Sequence, residues 1–343
     1  METFWFWAVA SMIAAYVVLD GFDLGAGIVH LWVARTSEER RLVLRTIGPV
    51  WDGNEVWLIA AGGVLYFAFP PLYASSFSGF YLPLMIVLWL LILRGIAIEF
   101  RNHIDDAVWT PLWDVVFAGA SALLTLFFGA ALGNVVRGVP LDASGYFFLP
   151  LWTDFGLDGE VGILDWYTVT VGVTALAALA VHGAHWVALK TEGTLQSRCR
   201  LLANRAWPLL VALTVAITIV SFRVQPQLPK RFAEAPASWI LPLATIAGLA
   251  AMRFRAGDFD RFLASCTYLA GLLTSAAAGI FPYVLPSNRD LAQGLTIRNA
   301  SAPPEGLMTG LLWWTPGMIL VIGYFVFTYR NFAGKVSAAS EGH

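Results

Sequence analysis

Apolar residues run through this chain in about nine long blocks, at roughly 4–34, 47–69, 77–100, 113–136, 163–189, 206–223, 236–253, 262–284 and 307–329. About 20 apolar residues in a helix cross the hydrocarbon layer of a bilayer, so blocks of this length read as membrane spans. The pattern predicts an all-α polytopic membrane protein with about nine transmembrane helices. The order suggests two four-helix bundles, helices 1–4 over about 4–136 and helices 5–8 over about 163–284, with a ninth peripheral helix at about 307–329. The whole is read as one integral membrane domain, 1–343. The first block is long enough to hold extra turns or a tilt. The connections 137–162, 224–235 and 285–306 carry Pro, Gly and short polar residues, and none is long enough for a soluble domain.

Composition sharpens this picture. The chain is 58% hydrophobic and 13% charged, against about 25% charged in a soluble domain. The formal net charge of −2 gives no sign of nucleic-acid binding. Cys199, in a basic stretch read as a loop, and Cys266, in an apolar helix, make no metal or disulfide pattern. The 15 Trp suit interfacial belts and packed intramembrane faces. No basic segment precedes the first block, so it is expected to be kept rather than cleaved.

Charge also sets a topology. Arg35, Arg40, Arg41, Arg45, Arg94, Arg101, Lys190, Arg198, Arg200, Arg205, Arg253, Arg255, Arg261, Arg330 and Lys335 fall on one side. Arg137, Arg223, Lys230, Arg231, Arg289 and Arg298 fall on the other. The positive-inside rule then predicts an N-terminus outside and a C-terminus in the cytoplasm. It places Asp52 near the cytoplasmic surface, about a turn inside the membrane.

The polar residues inside the apolar blocks are the candidates for chemistry, because an ionisable group there is costly and must face protein, water or an ion path. In Ile47-Gly48-Pro49-Val50-Trp51-Asp52-Gly53-Asn54-Glu55-Val56-Trp57, Asp52 and Glu55 share a helical face, as do Trp51 and Glu55. Burial there would suit the carboxyls to proton exchange; the plainer reading makes Asp52 a helix cap. In Leu19-Asp20-Gly21-Phe22-Asp23-Leu24-Gly25-Ala26-Gly27, Asp20 and Asp23 share a face, and Gly21, Gly25 and Gly27 form a surface of small residues for close packing. Two readings stand for these aspartates: hydrogen-bonded packing groups, or proton or cation handling. Arg94, with Glu99 and Arg101, closes the third block; Arg94 is expected in a structural ion pair with Asp23, Asp52 or Glu55. His182 and His185 offer a metal or haem only two ligands, so they, like His30, read as polar helix-end residues. Trp313 and Trp314 read as interface anchors or partner contacts.

Six stretches together resemble subunit II of the cytochrome bd-type quinol oxidases, including the cyanide-insensitive branch. They are Leu19 to Gly25, Gly48 to Leu58, Phe77 to Leu84, Arg94 to Arg101, Gly129 to Pro140 and Phe281 to Ser287, in family order over most of the chain. The Trp-Asp-Gly-Asn run at 51–54 is the specific one. The resemblance implies two four-helix bundles plus one helix, packed against a homologous subunit I that holds haems b and d and the quinol-oxidising loop. The assembled enzyme would oxidise quinol and reduce dioxygen to water in the bacterial cytoplasmic membrane, taking its protons from the cytoplasm. Subunit II would support assembly and share a proton path at the interface, with the family's proton-path Asp falling on Asp52; Glu55 stands where some members have Gln. Trp51, Asn54, Trp57, Arg94, Glu99 and Arg101 would be structural or interfacial. The chain is expected to bind no metal and not to be catalytic alone. Some members hold a structural quinone in subunit II, and a small accessory subunit is a further expected partner, with membrane lipids. The residues alone also admit a secondary transporter or ion channel using the same carboxylates, a scaffold without a proton role, and a haem-binding subunit using His182 and His185.

Overall fold

The computed structural model describes residues 1–336 other than 105 and 158. Twelve α-helices make up most of the described chain. The long ones are α1 (Glu2–Val33), α3 (Trp51–Ala68), α5 (Tyr81–Phe100), α6 (Trp109–Arg137), α7 (Trp166–Lys190), α8 (Gly193–Val224), α10 (Ile240–Phe254), α11 (Asp258–Ile280) and α12 (Pro304–Asn331). Among the described residues, eight helical spans are long and apolar enough to cross a membrane. The remaining predicted block is α3, 18 residues long, whose polar first turn of Asp52, Asn54 and Glu55 dilutes its apolar character.

Helices α1, α3, α5 and α6 pack on one another, as do α7, α8, α10 and α11. The two groups meet where α7 lies against α1 and α6, and α11 against α1. Small residues allow this. A Cβ on Gly25 would overlap the Leu179 carbonyl, and one on Gly183 would overlap the backbone of Gly25. Further along, a Cβ on Gly129 would stand 2.6 Å from the Gly172 Cα. Without a hydrophobic drive between helices in lipid, such close backbone contact is a main source of association. Helix α12 lies outside both groups against α3, and Leu307 is its single buried residue.

The structure adds helix where hydropathy predicted loop. Helix α8 begins at Gly193, 13 residues before the predicted block, so Cys199 lies buried on a helix and not in a loop. Its arginines lower the hydropathy without opposing the helix, since Arg is a good helix former. Helix α4 (Pro70–Gly79) follows α3 after a break at Phe69, with Pro70 and Pro71 in the first turn, where their missing N–H groups cost nothing. Helix α2 (Ser37–Arg45) is fixed by a capping box: Thr36 Oγ1 accepts from the Glu39 amide at 3.2 Å, and Glu39 accepts from the Thr36 amide at 3.3 Å. It buries Val43 and Leu44, and Glu39 pairs with Arg198 on α8. In the predicted loops lie a short helix α9 (Gln227–Glu234) and a two-stranded ribbon, β1 (Tyr283–Leu285) against β2 (Leu295–Thr296).

The two ends differ. At one, the loops around Leu141, Phe147, Ile163 and Leu285 fold over Trp5 and Phe69 as an apolar cap. At the other, α2 and the basic helix ends meet.

Replacing Gly183 by Val should force α1 and α7 apart at about 1–3 kcal/mol. The thermal midpoint of the purified assembly should fall by several degrees, whereas Gly119→Ala, with open space around its Cβ, should leave it unchanged. Glu39 gives a pH prediction. Its partial burial works to raise the carboxyl pKa, but the Arg198 guanidinium and the amides of Arg35 and Thr36 bring it below its usual value. A depressed folded pKa stabilises fully above the unfolded value of about 4.3 and is lost as pH falls through the folded one. Amides of α2 should therefore keep their hydrogen-exchange protection at pH 5 and lose it only under stronger acid.

Candidate functional site: a buried ionic cluster at the meeting of α1, α3 and α5

Helix α1 offers Asp20 and Asp23 on one face, both wholly buried. Helix α5 brings Arg94, also without exposure, a turn and a half before its end. Arg94 grips Asp20 with both terminal nitrogens, Nη1 donating to Oδ2 at 2.9 Å and Nη2 to Oδ1. Such a bidentate pair is the strongest geometry open to a guanidinium and a carboxylate. Arg94 Nη2 also lies 3.5 Å from Glu55 Oε1 on α3. Trp51, a turn before Glu55, lies over Gly95, whose Cβ would stand 3.5 Å from the indole. That contact sets the height of α3 against α5.

Asn54, wholly buried, joins the second aspartate to the cluster. Its Nδ2 donates to Asp23 Oδ2 at 2.7 Å and to the Leu19 carbonyl at 3.2 Å, and its Oδ1 accepts from the Tyr329 hydroxyl at 2.8 Å. Asp23 Oδ1, Arg94 Nε and the Tyr16 hydroxyl are buried with no hydrogen-bond partner among the described residues. Three carboxyl groups thus lie in one cluster with a single guanidinium, which touches Asp20 and Glu55. With all of them ionised the cluster would hold uncompensated buried charge, which is costly; two bound protons balance it. Glu55 is the member that reaches the outside, with a quarter of its side chain exposed.

The other predicted residues take separate places. Asp52 is exposed and makes no hydrogen bond or ion pair among the described residues, so the capping role foreseen for it is absent. Arg94 pairs with Asp20, a partner that sequence reasoning did not name, as well as with Glu55. Trp57 is buried against Phe325 of α12, the ring centroids 5.6 Å apart. Glu99 is exposed. Arg101 belongs to a second cluster built on Asp114 of α6, which sequence reasoning passed over. Arg101 Nε donates to Asp114 Oδ1 at 2.5 Å, Arg40 Nη1 donates to Oδ2 at 3.2 Å, and His30 Nε2 lies 2.7 Å from Oδ1. Asp114 stands inside an uncharged run just as Asp20 does, and the same rule would have found it.

His182 and His185 are buried along α7 and not polar helix-end residues. His182 Nε2 donates to the Val18 carbonyl at 2.9 Å, and Nδ1 lies 2.7 Å from Ser265 Oγ. Both nitrogens are engaged, which leaves none for a haem iron. No group of three or more metal-ligating side chains forms among the described residues.

Two bundles of apolar helices with a buried arginine–carboxylate cluster open at one edge define a polytopic helical membrane protein. The chain belongs to the cytochrome bd terminal oxidase subunit II family, whose profile matches residues 1–332. A probable cytochrome oxidase subunit 2 of Haemophilus influenzae is 31% identical over 97% of this chain and 94% of that protein. The cytochrome bd ubiquinol oxidase subunit 2 of Bacillus subtilis is 30% identical over 98% and 97%. The bd oxidase from Geobacillus thermodenitrificans shares the fold, with a TM-score of 0.77 at 17% identity, covering 96% of this chain and 98% of that one. The chain is therefore a multi-pass subunit of an oxidoreductase complex in the bacterial inner membrane. Its partner is subunit I, which carries the haems. This family membership displaces the transporter and channel readings.

Removing one member of a buried pair leaves the other uncompensated, at about 3–5 kcal/mol. Arg94→Leu should therefore lower the yield and thermal midpoint of the assembly sharply. Combining it with Asp20→Leu should recover part of the loss, as measured by a double-mutant cycle on the thermal midpoint.

Proposed function

We propose that this subunit supports assembly of the oxidase and passes cytoplasmic protons to the oxygen-reducing site of subunit I through the carboxylates of the α1–α3–α5 cluster. The observation that carries this reading is Glu55. It is half-buried, touches Arg94 on its inner side and opens outward, and Asp52 stands exposed one turn before it on the same helix. A carboxyl that connects a sealed ionic cluster to an open face is placed to take up and release protons, and intramembrane carboxyls are functional candidates by default. Asp52 is read as the entry group, Glu55 as the next, and Asp23, with its free Oδ1, and Asp20 as inner members. This chain holds protons and geometry; the electron chemistry belongs to the haems of subunit I.

The same reading takes the chain as one integral membrane domain with the basic end in the cytoplasm, the N-terminus outside and the C-terminus inside. Fifteen basic residues at that end support the orientation. The exposed apolar residues Val56, Ile59, Leu88, Trp89, Ile92 and Leu93 on α3 and α5 support a broad contact with subunit I or lipid. Quinol and dioxygen reach the chain only through the complex, and a small accessory subunit is a further proposed partner. A structural quinone has a chemically suitable place in an aromatic cleft of about 620 Å³ between α3 and α12, lined by Trp5, Phe67, Gly63, Trp313 and Trp314. Its size lies within the ordinary range of small-molecule sites of about 300–1,000 Å³, and the buried Trp314 Nε1 has no partner among the described residues.

The test is quinol-driven oxygen uptake by the co-expressed two-subunit complex, with haem spectra, for Asp52→Asn, Glu55→Gln and Asp23→Asn. Full haem content with uptake reduced by about 10-fold or more is expected for a lost proton-transfer group. Full haem with full uptake in all three would leave the subunit a scaffold.

A further inference from the structure

Helix α12 buries one residue, Leu307, near its start, yet its far end supplies Tyr329, whose hydroxyl reaches Asn54. A helix so little buried needs something else to fix its height and rotation. The chain beyond α12 provides it. Residues 332–336 cross the C-terminal end of α7 in a reciprocal strap. Lys190 Nζ, from the last turn of α7, donates to the Phe332 carbonyl and to the Gly334 carbonyl at 3.0 Å, and stands 3.6 Å above the Phe332 ring. In return, Lys335 Nζ donates to the Thr191 carbonyl at 2.7 Å, and the Val336 amide to the Lys190 carbonyl at 2.8 Å. The last carbonyls of a helix have no partner within it. At the end of α7, Thr191 and Gln196 meet the Val187 and Ala188 carbonyls, and the strap meets those of Lys190 and Thr191, while the strap is held by the cation that α7 carries.

We propose that this strap locks the end of α12 onto α7, and that Tyr329 is thereby a positioning residue for Asp23, acting through Asn54. The inference rests on the proton-delivery reading of the cluster. An amide side chain can turn either end towards a neighbour, and its orientation follows from its hydrogen bonds. The Tyr329 hydroxyl gives its hydrogen to Asn54 Oδ1, which commits the Nδ2 end to Asp23 Oδ2 and the Leu19 carbonyl. Asp23 then has one oxygen held and the other free for a proton. Without the hydroxyl, Asn54 Oδ1 is a buried acceptor with no donor, and the amide loses the reason to present its donor to Asp23. The titratable and charged groups around this chain of bonds are Asp20 and Tyr16 on α1, Glu55 on α3, Arg94 on α5, Cys266 on α11 and Tyr329 itself.

The experiment measures quinol-driven oxygen uptake across a pH series in the purified two-subunit complex, with haem content as the assembly control. Tyr329→Phe should keep its haem, lower uptake by about 3- to 10-fold, the worth of one buried hydrogen bond, and displace the pH profile. Lys190→Met should move rate and profile the same way, and Lys190→Arg should restore them. Asp23→Asn runs alongside. If Asp23→Asn is impaired while Tyr329→Phe keeps the wild-type rate and profile, the positioning role is overturned and the proton reading stands. If Asp23→Asn has the wild-type rate and profile, both fall together. Loss of haem in both Tyr329→Phe and Lys190→Met would make the strap a folding element only, and would also overturn the proposal.

Discussion

A guanidinium with no access to water must be met by carboxylate, and Arg94 is met by Asp20 from α1 and Glu55 from α3. Much of the arrangement of the first bundle follows from that requirement. It fixes α5 against α1 in height, because the bidentate pair tolerates little displacement. It draws the polar first turn of α3 inward, which an apolar helix in lipid would not do alone. It also explains why α3 can begin with a Trp-Asp-Gly-Asn-Glu run at all: Trp51 lies on Gly95, Asn54 enters the cluster and Glu55 closes it, while Asp52 remains on the open side.

Around this centre the chain uses its other buried charges to tie further helices together. Asp114 gathers Arg101, Arg40 and His30, and so binds α6 to α5, α2 and α1 at the basic end. Arg137 and Asp165 pair at the start of α7, with Asn134 donating to the Ile163 carbonyl at 2.9 Å, and anchor the loop before it. In neither network do carboxyl groups outnumber arginines, since Asp114 meets two and Asp165 one. In the α1–α3–α5 cluster they do, with three carboxyl groups for one arginine. That excess distinguishes the proposed proton site from an ion pair that holds helices.

Much of this was legible in the chain. Apolar blocks gave the spans because hydrocarbon admits few charges, and Asp20, Asp23, Glu55 and Arg94 stood out for the same reason. Gly25 and Gly27 announced close packing, and they meet α7 and α6. What escaped was of two kinds. Helix outside the hydrocarbon leaves no hydropathy signal, so the start of α8 and most of α4 were missed. Partners far apart in sequence leave none either: nothing in the chain says that Tyr329 meets Asn54, 275 residues away, or that Arg94 chooses Asp20. Spacing showed that Asp52 and Glu55 lie near one face; only the packing of Trp51 and Asn54 set which of them turns inward.

The most direct measurement of the central claim is infrared difference spectroscopy of the working complex between its oxidised and reduced states. A carboxyl C=O band should appear or shift with the redox state of the haems and vanish in Glu55→Gln or Asp23→Asn. A difference spectrum in the carboxyl region that is identical in wild type and both variants, with haem intact, would contradict it.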